Sequence, residues 1–137
     1  MGSKVDRVLE HLAVENQHNM EAMLATLDDE DPVRDEVAGS CYTGRENVAA
    51  RYAALWTAFP DFNVFPRRLI ENGDSVVMLA DYSGTHRGQY GEYAPAGRSF
   101  LVRITNIIDF KGDRISRETI FMDSASQLRQ LGLLPKK

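Results

Sequence analysis

Three histidines, His11, His18 and His86, and one cysteine, Cys41, are the residues best suited to metal or nucleophilic chemistry. None sits in a motif for it. There is no HxH, no HExxH and no pair of histidines four apart, so no resident metal is expected. A single cysteine excludes an intrachain disulfide and a cysteine metal cluster within one chain. It has no activating neighbour and reads as a buried structural thiol. The acids Asp28, Asp29, Glu30 and Asp31 are consecutive, but the central glycine of a calcium loop is missing and Pro32 interrupts them, so a solvated loop is expected. No GxSxG elbow, P-loop or dinucleotide fingerprint occurs. Gly84-Thr85-His86-Arg87-Gly88 is glycine-rich, yet nothing suggests a following helix to hold a phosphate. What remains is acid–base chemistry with neither metal nor cofactor.

Asp123 is the foremost candidate for it. It ends the apolar run Ile120-Phe121-Met122 and directly precedes a capped helix. Desolvation there would raise its pKa and let it shuttle protons near neutrality. The helix N-terminus favours its ionised form, and simple capping of that helix is the competing role. His86, at the mouth of a long loop, is the second catalytic candidate, or a turn histidine bonded to backbone. His18 either contributes to a pocket or braces the first helices. Trp56, Phe59 and Phe121 are ordinary core or the wall of a pocket for an apolar ring system. Arg103 is a pocket group or, with Glu118, half of a cross-strand ion pair.

The elements that must position these residues follow from periodicity. Val5, Val8, Leu9 and Leu12 make one helical stripe, and Met20, Met23, Leu24 and Leu27 make a second. Asn19 is the expected N-cap of the second helix. Val33 to Tyr42 reads as irregular or briefly extended. Thr43 to Glu46 fits a capping box, and Val48, Tyr52, Leu55, Trp56 and Phe59 continue at helical spacing until Pro60, predicting a helix over about 45–59. Four runs rich in β-formers follow, at 62–70, 75–85, 99–110 and 114–122. Asn72-Gly73 and Lys111-Gly112-Asp113 mark hairpins. Pro66 points to an edge strand. The segment His86–Arg98 is a long loop of the kind that often carries function. Ser124 to Gln127 opens a last short helix, closed by Gly132 and Pro135. Helices first and antiparallel strands afterwards predict an α+β domain with helices on one face of a curved sheet.

Composition narrows the class. The chain has 137 residues, one domain's worth over 1–137, with 43% hydrophobic and 26% charged residues and a net charge of −4. A mildly acidic chain with no basic block is a poor match for nucleic acid or an anionic membrane. There is no 18-residue apolar run and no signal-peptide pattern, which with the lone cysteine points to a cytoplasmic protein.

Several short motifs then fall in a familiar order. They are Tyr42-Thr43-Gly44-Arg45-Glu46-Asn47-Val48, Phe59-Pro60-Asp61-Phe62, Asn72-Gly73-Asp74, Gly84-Thr85-His86-Arg87-Gly88, Pro95-Ala96-Gly97-Arg98, Gly112-Asp113-Arg114-Ile115, Met122-Asp123 and Gln130-Leu131-Gly132-Leu133. From about Val5 to Pro135 the chain resembles the SnoaL-like polyketide and ester cyclases of the nuclear-transport-factor-two-like superfamily. The resemblance implies a cystatin-like cone: a curved antiparallel sheet wrapped around N-terminal helices, holding a deep apolar pocket. It also implies a homo-oligomer, dimer or tetramer, joined through sheet faces. It implies ring closure by intramolecular aldol chemistry without metal or cofactor, and matches the acid/base aspartate to Asp123. Family members also use polar residues on the preceding strand, here Leu101 to Asn106, which has no histidine. Asp81 is covered by no motif and inherits no role.

Two functional classes are therefore expected. One is a cofactor-free cyclase, isomerase or hydrolase acting on a small hydrophobic molecule. The other is a non-catalytic binder or dimerising module of the same fold. A second polar group beside Asp123 inside a closed pocket would separate them. Oligomerisation is expected because Val76, Met78, Ile104, Ile108 and Ile120 offer more apolar surface than one sheet face needs.

Overall fold

In the computed structural model, which describes residues 3–134, Ser3 starts helix α1 (Lys4–Asn16) through a capping box with Asp6. Pro135 lies outside the described residues. The buried stripe of α1 is Val8, His11, Leu12 and Glu15, so half of it is ionisable. Asn19 caps α2 (Met20–Leu24) as expected, its side chain accepting from the Ala22 N–H at 3.1 Å. The second stripe ends early: Leu27 leaves the helix and bridges to Ile115.

The segment read as irregular or briefly extended is extended, forming a hairpin of two short strands, β1 (Val33–Glu36) and β2 (Cys41–Thr43). Helix α3 (Arg45–Ala58) follows. Its N-cap is Gly44 at φ +85°, with no side-chain cap, rather than the expected Thr43. Thr43 is already the last residue of β2, which moves the start of the helix one residue on. Then come β3 (Asn63–Asn72), β4 (Ser75–Thr85), β5 (Ser99–Lys111), β6 (Arg114–Met122) and α4 (Ser124–Gln130).

One six-stranded sheet results, in the order β2-β1-β6-β5-β4-β3. It is mixed rather than wholly antiparallel, because β1 runs parallel to β6, with Arg34 opposite Glu118. It is not closed, and β3, with Pro66, is an edge as predicted. Register breaks at Pro66/Arg68 in the edge strand β3 and at Asp109/Phe110 in the central strand β5 bend the sheet. Helix α1 packs against β3 and β4, α3 against β2, and α4 against β5.

Strand alternation sends Val76, Met78, Ile104, Ile108 and Ile120 all to the helix side, where each is buried. They fill one core and leave nothing for a second face, which corrects the argument for oligomerisation made from them. Phe59 is fully buried and touches the rings of Phe62, Tyr90 and Phe100. Truncating it to alanine would cost about 3–5 kcal/mol. The loop after β4 is pinned to the end of α3 at Gly88. A Cβ there would lie 2.1 Å from the Thr57 carbonyl oxygen, so only glycine fits. Cys41 is exposed on the short edge strand β2, not buried as expected.

Candidate active site

Where the β1–β2 hairpin, α3, the 86–98 loop and the start of α4 meet, they enclose a cavity of about 310 Å³. Leu55, Phe62, Ile120 and Met122 give it an apolar wall, and Tyr90 and Tyr93 border it from the loop. The loop tip closes on itself through the Tyr90–Tyr93 bridge, and the Tyr90 hydroxyl donates to Gln127 Oε1 at 3.2 Å. That bond ties the loop to α4 across the cavity.

The cavity also has a charged side. Arg34 (2% exposed), Glu36, Arg51 and Tyr82 line it. Arg34 Nε donates to Glu36 Oε2 at 2.7 Å. Arg51 grips both oxygens of the same carboxylate at 2.8 Å. Burial pushes the Glu36 carboxyl up, but the Arg34 charge and the Arg51 bonds outweigh it and hold the pKa below the ordinary value. Burial pushes the Tyr82 phenol well up against the opposing Arg34 charge, so it remains a neutral donor. Arg34 stays charged, since the phenols and carboxylates around it outweigh its desolvation.

Behind this wall lies a second layer that does not line the cavity. Glu118 Oε2 accepts from the Tyr52 hydroxyl at 2.7 Å, and Oε1 from Asn106 Nδ2 at 3.1 Å. Arg34 Nη1 is 3.9 Å from Glu118 and its guanidinium stacks 4.7 Å above the Tyr52 ring. His11 sits 3.2 Å from Glu15 and 3.9 Å from Glu118.

The structure does not gather the residues singled out in the sequence. Asp123 is exposed and is the N-cap of α4, its oxygens accepting from Ser126 N at 3.1 Å and Ser126 Oγ at 2.7 Å. Those bonds hold its pKa down, so of the two roles open to it the geometry shows the helix cap and not the desolvated acid. Its neighbour Ser124 lines the cavity; Asp123 does not. His86 is buried outside the cavity wall. Its backbone pairs with Arg98 and Gly97, and Nδ1 accepts from the Ala96 N–H at 3.3 Å, so it clamps the loop. His18, at φ +55°, stacks on Trp56 at 4.8 Å and donates to the Phe62 carbonyl, bracing the helices. Phe59 is core, and Phe121 is exposed on the far side of the sheet. Arg103 also faces outward. Its partner is Asp81 at 2.9 Å rather than Glu118, because Arg103 pairs with Asp81 in register while Glu118 faces Ile108.

The charged residues of the wall and of the layer behind it carried weak sequence signals. Asn106 alternates with Ile104 and Ile108, and Glu118 with Ile120, which places both polar groups on the core face. His11 and Glu15 share one stripe with Val8 and Leu12. Arg34 and Glu36 lay in a segment with no readable period.

Among the described residues, no group of three or more His, Cys, Asp or Glu is placed to hold a metal ion, and no helix is long and apolar enough to cross a membrane. Comparison with solved structures agrees with the topology. A candidate SnoaL-like polyketide cyclase from Jannaschia sp. CCS1 superposes with a TM-score of 0.86 at 19% identity, covering 96% of this chain and 93% of that one. IdmH, a candidate polyketide cyclase from Streptomyces antibioticus, gives 0.80 at 23% identity over 96% and 99%. AclR, a candidate hydroxylase from Streptomyces galilaeus, gives 0.82 at 16% identity over 97% and 87%. At such identities the likeness speaks for the fold alone. No curated protein matches the chain. The family model for SnoaL-like polyketide cyclases matches residues 4–131, nearly the whole chain, and the protein belongs to that family.

Proposed function

We propose that this chain catalyses a cyclase-type reaction on a hydrophobic small molecule bearing at least three carbonyl groups. The observation that carries the reading is the buried Arg34 guanidinium, beside Glu36, on the wall of a mainly apolar cavity. A fixed cation in a low-dielectric pocket stabilises a developing enolate far better than water does. Glu36 is the carboxylate in that wall and takes the proton from the carbon between the carbonyls. Its lowered pKa restricts it to C–H groups acidified from both sides. The enolate carbon then adds to a third carbonyl further along the molecule, closing the ring, and the proton returns from Glu36 to the new alkoxide. Arg34 and the neutral Tyr82 hold the oxygens. Polycarbonyl compounds that fit the cavity test this. Glu36→Gln should keep binding and lose about 10²–10⁴-fold in kcat. Full turnover in that variant overturns the reading.

One observation favours a second reading. Glu36 already accepts three charge-assisted bonds, which suits a rigid ligand cradle better than a free base. A binder would hold the same compounds with no turnover in the wild type.

We also propose a homo-oligomer, a dimer or a tetramer, built through the outer sheet face. Phe65, Leu101 and Phe121 are 45–59% exposed on that face. A contact of about 800 Å² per partner is ordinary for a stable dimer. Sedimentation at micromolar concentration checks it, and a 15.4 kDa species alone rules it out.

A further inference from the structure

Apart from Arg34, the cluster behind the cavity wall is unused by that reaction, yet five elements converge on it. His11 and Glu15 come from α1, Arg34 from β1, Tyr52 from α3, Asn106 from β5 and Glu118 from β6. The side chains of His11, Glu15 and Glu118 are 1–5% exposed.

A hydrogen bond fixes the Nδ1 proton of His11, and the surrounding charge fixes the other, since Nε2 makes ion-pair contacts but no aligned hydrogen bond. The Thr26 hydroxyl donates to the Met23 carbonyl at 2.6 Å. Its oxygen is therefore left to accept at the 2.7 Å contact with His11 Nδ1, which must carry hydrogen. Nε2 faces only carboxylate oxygens, Glu15 at 3.2 Å and Glu118 at 3.9 Å. A bare lone pair there would oppose two anions, so Nε2 carries hydrogen as well. The ring is an imidazolium between two carboxylates.

From Glu118 two contacts lead to Arg34. One is direct, at 3.9 Å to Nη1. The other runs through the Tyr52 hydroxyl, which Glu118 accepts and whose ring Arg34 covers. The charges close as well: His11, Arg34 and Arg51 balance Glu15, Glu36 and Glu118. Without its proton, His11 would leave Glu15 and Glu118 facing each other with no cation between. Arg34 is the nearest replacement, and reaching Glu118 would take it away from Glu36 and the cavity.

We infer that His11 is a positioning residue: as an imidazolium clamped by Glu15 and Glu118, it keeps Arg34 turned to Glu36 in the cavity wall, and its deprotonation releases Arg34 toward Glu118. The groups facing the ring set its titration. Burial lowers the His11 pKa, the bond to Glu15 and the Glu118 charge raise it, and Arg34 lowers it, with a net rise. Tyr52 stays a neutral phenol, held up by burial and by Glu118. The consequence for catalysis rests on the proposed role of Arg34; the arrangement itself does not.

The test is therefore read without substrate. The full chain, labelled with ¹⁵N, is titrated from about pH 6 to about pH 10, spanning the range above the ordinary histidine value. Both His11 ring nitrogens should read as N–H at neutral pH. The Arg34 Nε–H signal, assigned by its loss in Arg34→Lys, should shift at the same midpoint at which His11 deprotonates. Glu15→Gln, which keeps the histidine, should move both midpoints down together. His11→Gln should abolish the Arg34 transition. A neutral His11 ring at neutral pH overturns the proposal, as does an Arg34 signal that ignores the titration of His11. A chain with no turnover but coupled His11 and Arg34 signals would refute the cyclase reading and leave this one standing.

Discussion

Glu118 and Asp81 lie on opposite faces of one sheet, and each answers two cationic side chains. Glu118 faces inward, and its partners His11 and Arg34 are 1% and 3% exposed in their side chains. Asp81 faces outward, and its partners Arg67 and Arg103 are 49% and 65% exposed. The difference decides what each cluster is worth. Lose one partner outside and water replaces it, because the guanidiniums covering Asp81 already stand in solvent. Lose one inside and a charge is stranded where nothing can hydrate it. The inner cluster is thus an all-or-none part of the fold, and the outer one a screened surface feature.

Breaking the inner cluster gives the largest effect. Glu118→Gln leaves His11 and Arg34 without their shared counter-charge and should cost about 3–5 kcal/mol in a denaturant melt. Adding Arg34→Met should recover part of that loss, since one of the two cations that faced Glu118 goes too. A coupling of roughly 0.5–3 kcal/mol in the double-mutant cycle is expected for groups in one network. Strict additivity would mean that the two do not interact.

The pH dependence should sharpen the contrast. The folded pKa of His11 is raised, so its contribution is complete below about 6.5, the ordinary unfolded value, and is lost as pH rises through the folded value. The folded pKa of Glu118 is lowered: burial opposes ionisation, but the charges of His11 and Arg34 outweigh it. Its contribution is present above about 4.5 and is lost as pH falls through the folded value. Thermal melts across pH should therefore show a plateau with a fall on each side. His11→Gln should flatten the alkaline fall and leave Asp81 titrating as before. An alkaline fall that survives this substitution assigns it to another group.

Asp81→Asn should do much less. Its carboxyl is held low by the Arg67 and Arg103 hydrogen bonds, but both partners remain hydrated without it. The melting temperature should move by a small fraction of the Glu118→Gln shift, and most of that should disappear in high salt. Equal shifts for the two variants would break the comparison between the faces.

The fold was more legible than the site, for a physical reason. Periodicity reports which side of an element is buried, and it placed α1, α3 and the four long strands correctly. It speaks only through apolar residues, so β1 went unread. Arg34 and Glu36 occupy the inward positions of that strand, where the period expects hydrophobes. The same blindness hid Asn106, although it alternates with isoleucines, and left Glu118 paired on paper with the outward-facing Arg103. Asp123 drew attention because it stands at a strand–helix junction, a place where a cap and a catalyst look alike in sequence. Only three-dimensional packing shows that its carboxylate turns back to Ser126 rather than inward.

The smallest expected effect belongs to Asp123, and it decides whether the charged wall or the strand–helix junction holds the chemistry. The carboxylate accepts from Ser126 N and Oγ at the start of α4 and is exposed. Asparagine keeps an oxygen for the backbone N–H and is nearly as good a cap, so Asp123→Asn should be silent in thermal melts and in turnover. Asp123→Ala removes the cap and should lower the melting temperature by a few degrees, again without loss of turnover per folded molecule. The readout must separate the two quantities, so kcat is taken well below both melting temperatures. A large fall in kcat for Asp123→Asn, with an unchanged melt, would return the proton transfer to Asp123. The cavity would then have to open toward α4 when substrate binds, and Arg34 would be left with a binding role alone.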